Sequence, residues 1–259
     1  MSSPSLSRRQ LIKGLAAAGL AGCLPAALAA QRKPGKHSLG VALVGLGHYS
    51  RDLLAPGLQL TRNCHLAGVV TGTPAKALEW QRKYDLSDRN IYDYDNFDRI
   101  ADNPDIDVIY IVLPNHLHKP FTLRGSAAGK HVWCEKPMAM NALEAQEMID
   151  ACQRNKVKLS IGYRMQHEPN TQRVIGFAHE RPYGALRSLQ CDAGFDGFQD
   201  AAGSDAWRLD PARGGGAMLD MGVYSLNAAR YTSGEEPVAV TARKSVQRPH
   251  IFTQVDETM

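Results

Sequence analysis

Short apolar runs alternate with longer amphipathic stretches between residues 39 and 162. The runs are LGVALV, HLAGVV, DVIYIVLPN, HVWCEKP and VKLSIGYR. The third is a continuous apolar run, which is typical of a strand buried in a parallel sheet. The stretches between them have helical spacing, for example over residues 141–155. This order predicts an α/β fold with a Rossmann-type doubly wound parallel sheet.

The pattern changes after residue 162, where strands and helices no longer alternate regularly. We predict a helix near residues 169–179, strands over 185–193 and 235–244, and a helix after the glycines of GGGAMLDMGVYSLNAARY. These elements indicate an α+β domain with a mixed or antiparallel sheet over residues 163–259. So few strands would cover a core only thinly, so we expect this domain to be truncated or to need a partner.

Residues 1–30 have the features of an export signal. The stretch SRRQLIKGLAAAGLAGCLPAALAAQ combines paired arginines, a modest Ala/Leu/Gly-rich core and a small-residue site ending at Ala29. It resembles a twin-arginine signal and predicts a periplasmic location, with residues 31–38 as a linker. The apolar run is too short and alanine-rich for a stable membrane span. An alternative stays open, because LAGC ending at Cys23 resembles a lipoprotein processing site that would leave a lipid anchor.

The net charge gives no support to a nucleic-acid or membrane-surface role. The formal charge of +4 comes from 30 basic and 26 acidic residues. Without Arg8, Arg9 and Lys13 of the leader, the basic residues number 27. The remaining chain is therefore close to neutral, and we expect no nucleic-acid partner.

No metal site is predicted. Cysteines other than Cys23 lie at irregular spacings that fit neither a zinc site nor a dense disulfide framework, and they are expected to be buried thiols: Cys64, Cys134, Cys152 and Cys191. His116 and His118 are two residues apart with no carboxylate or cysteine cluster nearby, which is weak support for a metal pair.

The turn GLGHYS follows the first apolar run and predicts a dinucleotide site. Gly45 would permit the tight turn, and Gly47 would let the backbone approach a pyrophosphate at a helix N-terminus. The third position of the fingerprint is Ser50 rather than glycine or alanine. Because glycine turns after strands are common, this motif alone does not decide the function.

The end of the second strand indicates which nucleotide is bound. NAD-selective proteins usually place an acidic residue here to hold the ribose 2'-hydroxyl, whereas this chain offers Thr71, Thr73 and Lys76. Hydroxyls and a cation suit a 2'-phosphate, so we predict NADP. The alternative is that Lys76 is only a solvated helix charge.

Asp220 and Tyr224 lie four residues apart after the glycine run, so on a helix they would project from one face. They could form part of one site. The alternative is that Asp220 caps the helix and Tyr224 is a core aromatic residue whose hydroxyl has found a partner.

Five motifs occur in one order along residues 40–243: GLGHYS, LPNHLH, GKHVWCEKP, GYR and WRLDPARGGGAMLDMGVYSLNAARY. Together they resemble the Gfo/Idh/MocA oxidoreductase family. Tyr224 replaces the histidine of most members and is typical of the glucose-fructose oxidoreductase branch. The resemblance implies a tightly held NADP, small-molecule sugar substrates, and a substrate and oligomerisation domain that would make a complete protein a homo-oligomer.

The resemblance also implies site residues. Tyr224 would be the acid/base in aldose oxidation at C1; because a free phenol has a pKa of about 10, it would need the cation of Lys136 beside it. Asp220 would position the sugar. Pro137 would constrain the backbone of Lys136, for example through a cis peptide.

The remaining predicted site residues fall into two groups. The cofactor group is Gly45, Leu46, Gly47, His48, Tyr49, Thr71, Lys76, Pro114, Asn115, His118, Glu135, Lys136 and Arg164. The substrate group is Arg208, Asp220 and Tyr224, with a surface or interdomain ion pair as the alternative for Arg164 and Arg208.

Three functions stay open from the sequence. The first is an NADP-dependent oxidoreductase that oxidises an aldose to its lactone and is re-oxidised by a second sugar such as fructose. The second is a sugar or cyclitol dehydrogenase with an exchangeable cofactor. The third is a non-catalytic sugar- or nucleotide-binding remnant, which the end of the chain at Met259 suggests.

Overall fold

A computed structural model of the chain describes residues 38–194 and 206–259. The predicted signal peptide and all of the predicted linker except Ser38 lie outside the described residues. No helix within the described ranges has the length and apolar character to cross a membrane.

Six parallel strands form one sheet in the order β3-β2-β1-β4-β5-β6. The strands are β1 (Leu39–Val44), β2 (Cys64–Val70), β3 (Ile91–Tyr92), β4 (Val108–Ile111), β5 (His131–Cys134) and β6 (Leu159–Ile161). The order reverses between β1 and β4, which is the switch point of a doubly wound sheet. The predicted Rossmann-type fold is confirmed.

Helices cover both faces of this sheet. A π-helix over Ser50–Leu54 leads into α1, and the α-helices are α1 (Ala55–Leu60), α2 (Pro74–Tyr84), α3 (His118–Ala127), α4 (Ala142–Arg154), α5 (Pro169–Glu180) and α6 (Val223–Ser233). Short 3-10 segments lie at Asp88–Asn90, Phe97–Asp102, Asn115–Leu117, Arg164–His167, Ala206–Leu209 and Pro211–Arg213, and a second π-helix lies at Met218–Gly222.

The hydrophobic core follows the alternation of side chains along each strand. On β1, Val41 and Leu43 pack into the cluster under α1 and α2, while Ala42 and Val44 pack into the opposite cluster with Ile109. Burial on both faces explains why β1, β2 and β4 are largely apolar.

The two strands predicted at 185–193 and 235–244 do not form in the structure, and that part of the prediction is wrong. Both segments are irregular, and Val238 and Val240 are largely exposed. A strand needs a hydrogen-bonded neighbour, and within the described ranges neither segment has one. The local pattern alone therefore did not determine the conformation.

A small apolar cluster consolidates the end of the described chain. Ile251, Phe252 and Val255 pack together with Leu209, and an isolated antiparallel bridge joins Ser245 to Thr258. This cluster supports the segment that carries the glycine run.

Candidate active site

The glycine turn after β1 forms an open cradle. Gly45 has a φ of +96°, and a Cβ there would lie 2.4 Å from the carbonyl oxygen of Val112. Gly47 is different, because a Cβ there would meet no atom within 4 Å. The Ser50 hydroxyl donates to the Gly45 carbonyl at 2.6 Å. Serine at the third fingerprint position therefore forms a hydrogen bond that closes the turn.

This cradle fits a dinucleotide. The amides of Gly47 and Tyr49 have no backbone acceptor within the described residues, and they precede a continuous helical segment. An anion could therefore approach the open backbone at Gly47. His48 is exposed and pairs with Asp52 at 2.5 Å, while Leu46 is buried in the core.

The end of β2 carries hydroxyls and no carboxylate. Thr71 is buried, and its hydroxyl accepts a hydrogen bond from the Thr73 amide at 3.3 Å. Lys76 is exposed on the first turn of α2. The hydroxyls of Thr71 and Thr73 and the cation of Lys76 suit a 2'-phosphate, so these residues fit NADP.

The loop after β4 is tied down by buried polar contacts. His118 is fully buried, and its ring nitrogens lie 2.7 Å from the Pro137 carbonyl and 2.9 Å from the Leu113 carbonyl. Burial lowers the pKa of His118, although both carbonyls favour the charged ring. His118 therefore connects the ends of β4 and β5. Pro114, just before the 3-10 turn, is half-buried.

Asn115 joins the loop to the second region of the chain. Its side-chain amide is buried and donates to the Gly214 carbonyl at 2.7 Å. A Cβ on Gly214, where φ is +83°, would lie 2.6 Å from the Asn115 Cβ. The first glycine of the run is therefore required for this close approach.

Glu135 lies at the end of β5, where polar groups surround its carboxylate. Its carboxylate accepts a 2.6 Å hydrogen bond from Tyr110, and Gly162 leaves room for it, since a Cβ there would lie 2.7 Å from Oε1. Burial raises the pKa of Glu135. Burial and then the charge of Glu135 raise the pKa of Tyr49, whose electrostatic neighbours also include Tyr224.

Lys136 is brought to Asp220 and Tyr224 by the fold. Its ammonium donates to the Asp220 backbone carbonyl at 2.6 Å, contacts Asp220 Oδ1 at 3.1 Å, and lies 4.7 Å from the centroid of the Tyr224 ring. The side chains of Lys136 and Asp220 are 12% and 13% exposed, so the pair is shielded from solvent. The peptide bond between Lys136 and Pro137 is cis, as predicted.

Arg208 completes this cluster from the other side of Asp220. Its Nε donates to Asp220 Oδ2 at 2.9 Å, so each carboxylate oxygen of Asp220 contacts a cation. This contact arises because the Arg208 carbonyl accepts from the Gly216 amide at 2.9 Å, where Gly215 leaves space for it. Asp220 lies within the second π-helix, and its side chain does not cap a helix.

The helix that carries Tyr224 is only partly buried over most of its length. Along α6 only Thr232 is buried, and Leu226 is 48% exposed. Tyr224 is half-buried against the Lys136 ammonium rather than enclosed in a core. The interpretation of Tyr224 as a core aromatic residue is therefore not supported by its surroundings.

Three features of the site were not found from the sequence. Tyr110 appeared only as part of a strand, Gly162 marked only the end of the sheet, and Asn115 gave no sign of its contact with the glycine run. Tyr110 could have been noticed, because a hydroxyl near the carboxyl end of a buried strand needs a partner. The other two depend on tertiary approach.

A cavity lies beside this cluster rather than over Tyr224. It has a volume of about 730 Å³ and is lined by Arg208 and Asp220, together with Val240 and Arg243 of the irregular segment. Neither Lys136 nor Tyr224 lines it. The cavity therefore does not enclose the Lys136–Tyr224 contact.

Arg164 lies outside the cluster, exposed at the end of the sheet, where its charge acts on Tyr49 and Glu135. Within the described residues, no three His, Cys, Asp or Glu side chains are grouped to hold a metal ion. The described part of the chain has four cysteines, all free thiols; Cys134 and Cys152 are buried as expected, whereas Cys64 and Cys191 are only half-buried, so the expectation of burial is wrong for those two.

Comparison with known proteins places the chain in a family. Residues 39–163 match the model of the oxidoreductase family with an NAD-binding Rossmann fold named GFO_IDH_MocA, and residues 177–259 match the C-terminal domain model of the same family. The crystal structure of aldose-aldose oxidoreductase from Caulobacter crescentus, complexed with glycerol, is 42% identical with a TM-score of 0.81. The match covers 85% of this chain and 65% of that one.

Two further relatives are more distant. The D-xylose 1-dehydrogenase [NADP(+)] of Haloarcula marismortui is 29% identical over 77% of this chain and 55% of its own length. A levoglucosan dehydrogenase in complex with NADH and levoglucosan is 25% identical with a TM-score of 0.66, over 76% of this chain and 55% of that one. The chain thus spans about half to two thirds of the length of these relatives. Taken with the fold and the clustered motif residues, these matches show that the chain belongs to the Gfo/Idh/MocA family of oxidoreductases.

Proposed function

We propose that this protein is an NADP-dependent sugar oxidoreductase that oxidises an aldose at C1 to its lactone. The observation that carries the proposal is the contact of the Lys136 ammonium with both Asp220 and the Tyr224 ring. A proton acceptor and a cation beside it are what removal of a sugar hydroxyl proton requires. The 42% identity to an aldose-aldose oxidoreductase supports a sugar as the substrate.

In the proposed mechanism, Tyr224 acts as the phenolate: it takes the proton of the C1 hydroxyl and becomes the neutral phenol as the C1 hydride leaves. Lys136 stabilises the phenolate before the transfer and can donate to the sugar oxygen. Asp220 holds Lys136 in place through its carbonyl and carboxylate. NADP, when bound, supplies the hydride acceptor.

The preference for NADP rests on two observations. The end of β2 has no carboxylate, and the Haloarcula marismortui relative is named as an NADP(+) enzyme. A levoglucosan dehydrogenase structure contains NADH, so the test must compare both nucleotides. We expect NADP to bind at least about tenfold more tightly than NAD, as measured by fluorescence titration.

We further propose that the bound cofactor is re-oxidised by a second sugar, such as fructose. The support is the resemblance to the glucose-fructose oxidoreductase branch and the similarity to an aldose-aldose oxidoreductase. A dehydrogenase with an exchangeable cofactor is the alternative, as the names of the xylose and levoglucosan relatives suggest.

One experiment tests the activity and separates these alternatives. Purified protein, dialysed extensively, is mixed with glucose, and absorbance near 340 nm is followed before fructose is added. A rise that fructose reverses supports cycling of a retained cofactor. A rise only after NADP is added back supports the exchangeable dehydrogenase. No response with either nucleotide and a panel of aldoses would reject the oxidoreductase.

We also propose export by the twin-arginine route into the periplasm. The support is the leader sequence, which carries Arg8 and Arg9 before a modest apolar core. Replacing both with Lys should leave the precursor in the cytoplasm, as measured by fractionation. Cys23→Ser should leave the periplasmic protein unchanged; release of a membrane-bound form by this variant would support the lipid anchor instead.

A further inference from the structure

We propose that Arg208 is a positioning residue for proton transfer, which keeps Asp220 from neutralising Lys136 and so maintains positive charge beside Tyr224. This inference rests on the proposed function, because it assigns Arg208 a part in the same reaction. It differs from a sugar-binding role, in which Arg208 would contact the substrate directly.

Each carboxylate oxygen of Asp220 contacts a different cation. Lys136 approaches Oδ1 and Arg208 approaches Oδ2, at 3.1 Å and 2.9 Å. One carboxylate therefore serves two cations, and the three side chains together carry one net positive charge. Without Arg208, Lys136 and Asp220 would form a neutral pair.

The shielding of the cluster makes this charge effective. The Arg208 side chain is only 28% exposed, and Lys136 and Asp220 are less exposed still. Charges in such surroundings are screened much less than charges on an open surface. Loss of one cation should therefore change the electrostatic potential at Tyr224, whose ring lies 4.7 Å from the Lys136 ammonium.

The backbone holds Arg208 in register with Asp220. Its carbonyl accepts from the Gly216 amide, and Gly215 permits the close approach. Its guanidinium also lies 4.5 Å from the centroid of the Trp207 ring. A flat, delocalised cation fits between an aromatic face and a carboxylate, which favours arginine here.

Other ionisable groups near Tyr224 are the same in each variant compared below. They are Lys136 after β5, Asp220 on the π-helix, and Tyr49 at the glycine turn, with Glu135 and Arg164 next to Tyr49. A change seen on replacing Arg208 alone thus reports the cation itself.

The test compares Arg208→Met, Arg208→Gln and Arg208→Lys in single-turnover reduction of bound NADP by an aldose between pH 5 and pH 10. Arg208→Met and Arg208→Gln remove the charge, and the side-chain amide of Arg208→Gln can still donate to Asp220, which guards against loss of folding. Arg208→Lys keeps the charge. Arg230→Met is the matched control, because Arg230 pairs with exposed Glu236 on the outer end of α6.

We expect Arg208→Met and Arg208→Gln to move the rising limb of the pH–rate profile up by about one pH unit and to lower the single-turnover rate constant near neutral pH about tenfold. The aldose concentration that gives half the maximal rate should stay within about twofold, and the pH–rate profiles of Arg208→Lys and Arg230→Met should match that of the wild type. A raised half-saturating aldose concentration with an unchanged pH limb in Arg208→Gln would overturn the proposal in favour of direct sugar binding. If wild-type protein reduces no cofactor, the proposed function fails before Arg208 is tested.

Discussion

The sheet region over residues 39–162 and the region over residues 206–259 differ in how completely they bury apolar side chains. In the sheet, residues such as Ile109 and Phe97 are completely buried, and helices cover both faces. In the later region, the apolar cluster consists of Ile251, Phe252 and Val255 with Leu209. The well-packed sheet region therefore positions one side of the site, while the other side depends on polar contacts.

The candidate site lies where these two regions meet. Lys136 comes from the end of the sheet, whereas Asp220, Tyr224 and Arg208 come from the later region. Removing one partner of a buried ion pair typically costs about 3–5 kcal/mol, because the other charge is left buried and unpaired. Breaking the cluster would therefore lower the free energy of unfolding, in addition to disturbing the proposed chemistry.

The largest expected effect comes from removing the proposed proton acceptor, which lies in the later region. Tyr224→Phe should lower kcat about 1,000-fold, because the proton acceptor is removed while the fold is kept. Cofactor binding, which we assign to the sheet region, should be unchanged by fluorescence titration. The control is Tyr231→Phe on the same helix, which should retain activity. Turnover of Tyr224→Phe at the wild-type rate would show that another group takes the proton.

A pair of core substitutions tests the difference in burial directly. Ile109→Ala should lower the free energy of unfolding by about 4 kcal/mol, because it opens a cavity in a rigid sheet core. Ile251→Ala should cost about 2 kcal/mol, because the small cluster can collapse around the missing side chain. Urea denaturation followed by circular dichroism measures both. Equal losses would mean that the two regions are equally well packed.

The contact between the regions is tested by Asn115→Ala. We expect a loss of about 1–3 kcal/mol, because the buried Gly214 carbonyl loses its hydrogen-bond donor. Hydrogen exchange should show the loss in residues 214–233 rather than in the strands. Asn141→Ala, which removes a cap at the start of α4, serves as the control. Faster exchange confined to β4 would instead place the effect within the sheet.

A smaller effect should come from the buried carboxylate in the sheet region. Burial raises the pKa of Glu135 in the folded protein above its usual 4.5, so the folded state holds this proton more tightly than the unfolded state. Its contribution to stability is therefore complete below pH 4.5 and is lost as pH rises through the raised pKa. Glu135→Gln removes this loss and keeps an oxygen that can accept from Tyr110.

We expect the stability of Glu135→Gln relative to wild type to increase between pH 4.5 and pH 8, measured by urea denaturation at each pH. Glu144→Gln, on a partly exposed helix position, is the comparison variant. A constant difference across this range would show that ionisation of Glu135 does not limit stability.

The sheet could be predicted from the sequence because each strand carries its own signal. Continuous apolar runs and the turn at Gly45 suffice to place β1, β2 and β4 in a parallel sheet. The strands predicted over 185–193 and 235–244 failed because pairing depends on neighbours that a local pattern does not contain. Element prediction was therefore reliable where burial is complete.

The site was predictable only in its composition. The resemblance named Lys136, Asp220 and Tyr224, and the structure brings them together. The contact of Arg208 with the far oxygen of Asp220 depends on how the three glycines let the backbone approach, and the connection through His118 depends on the distance between two strand ends. Such features are tertiary and have no signature in residue spacing.

The bond between Lys136 and the Asp220 carbonyl joins residues 84 positions apart. During synthesis, a nascent chain would complete its nucleotide-binding sheet well before the residues of the proton-transfer site emerge. Cofactor capture and catalytic competence would then be acquired at separate times. In a refolding experiment, recovery of turnover should lag behind recovery of nucleotide binding.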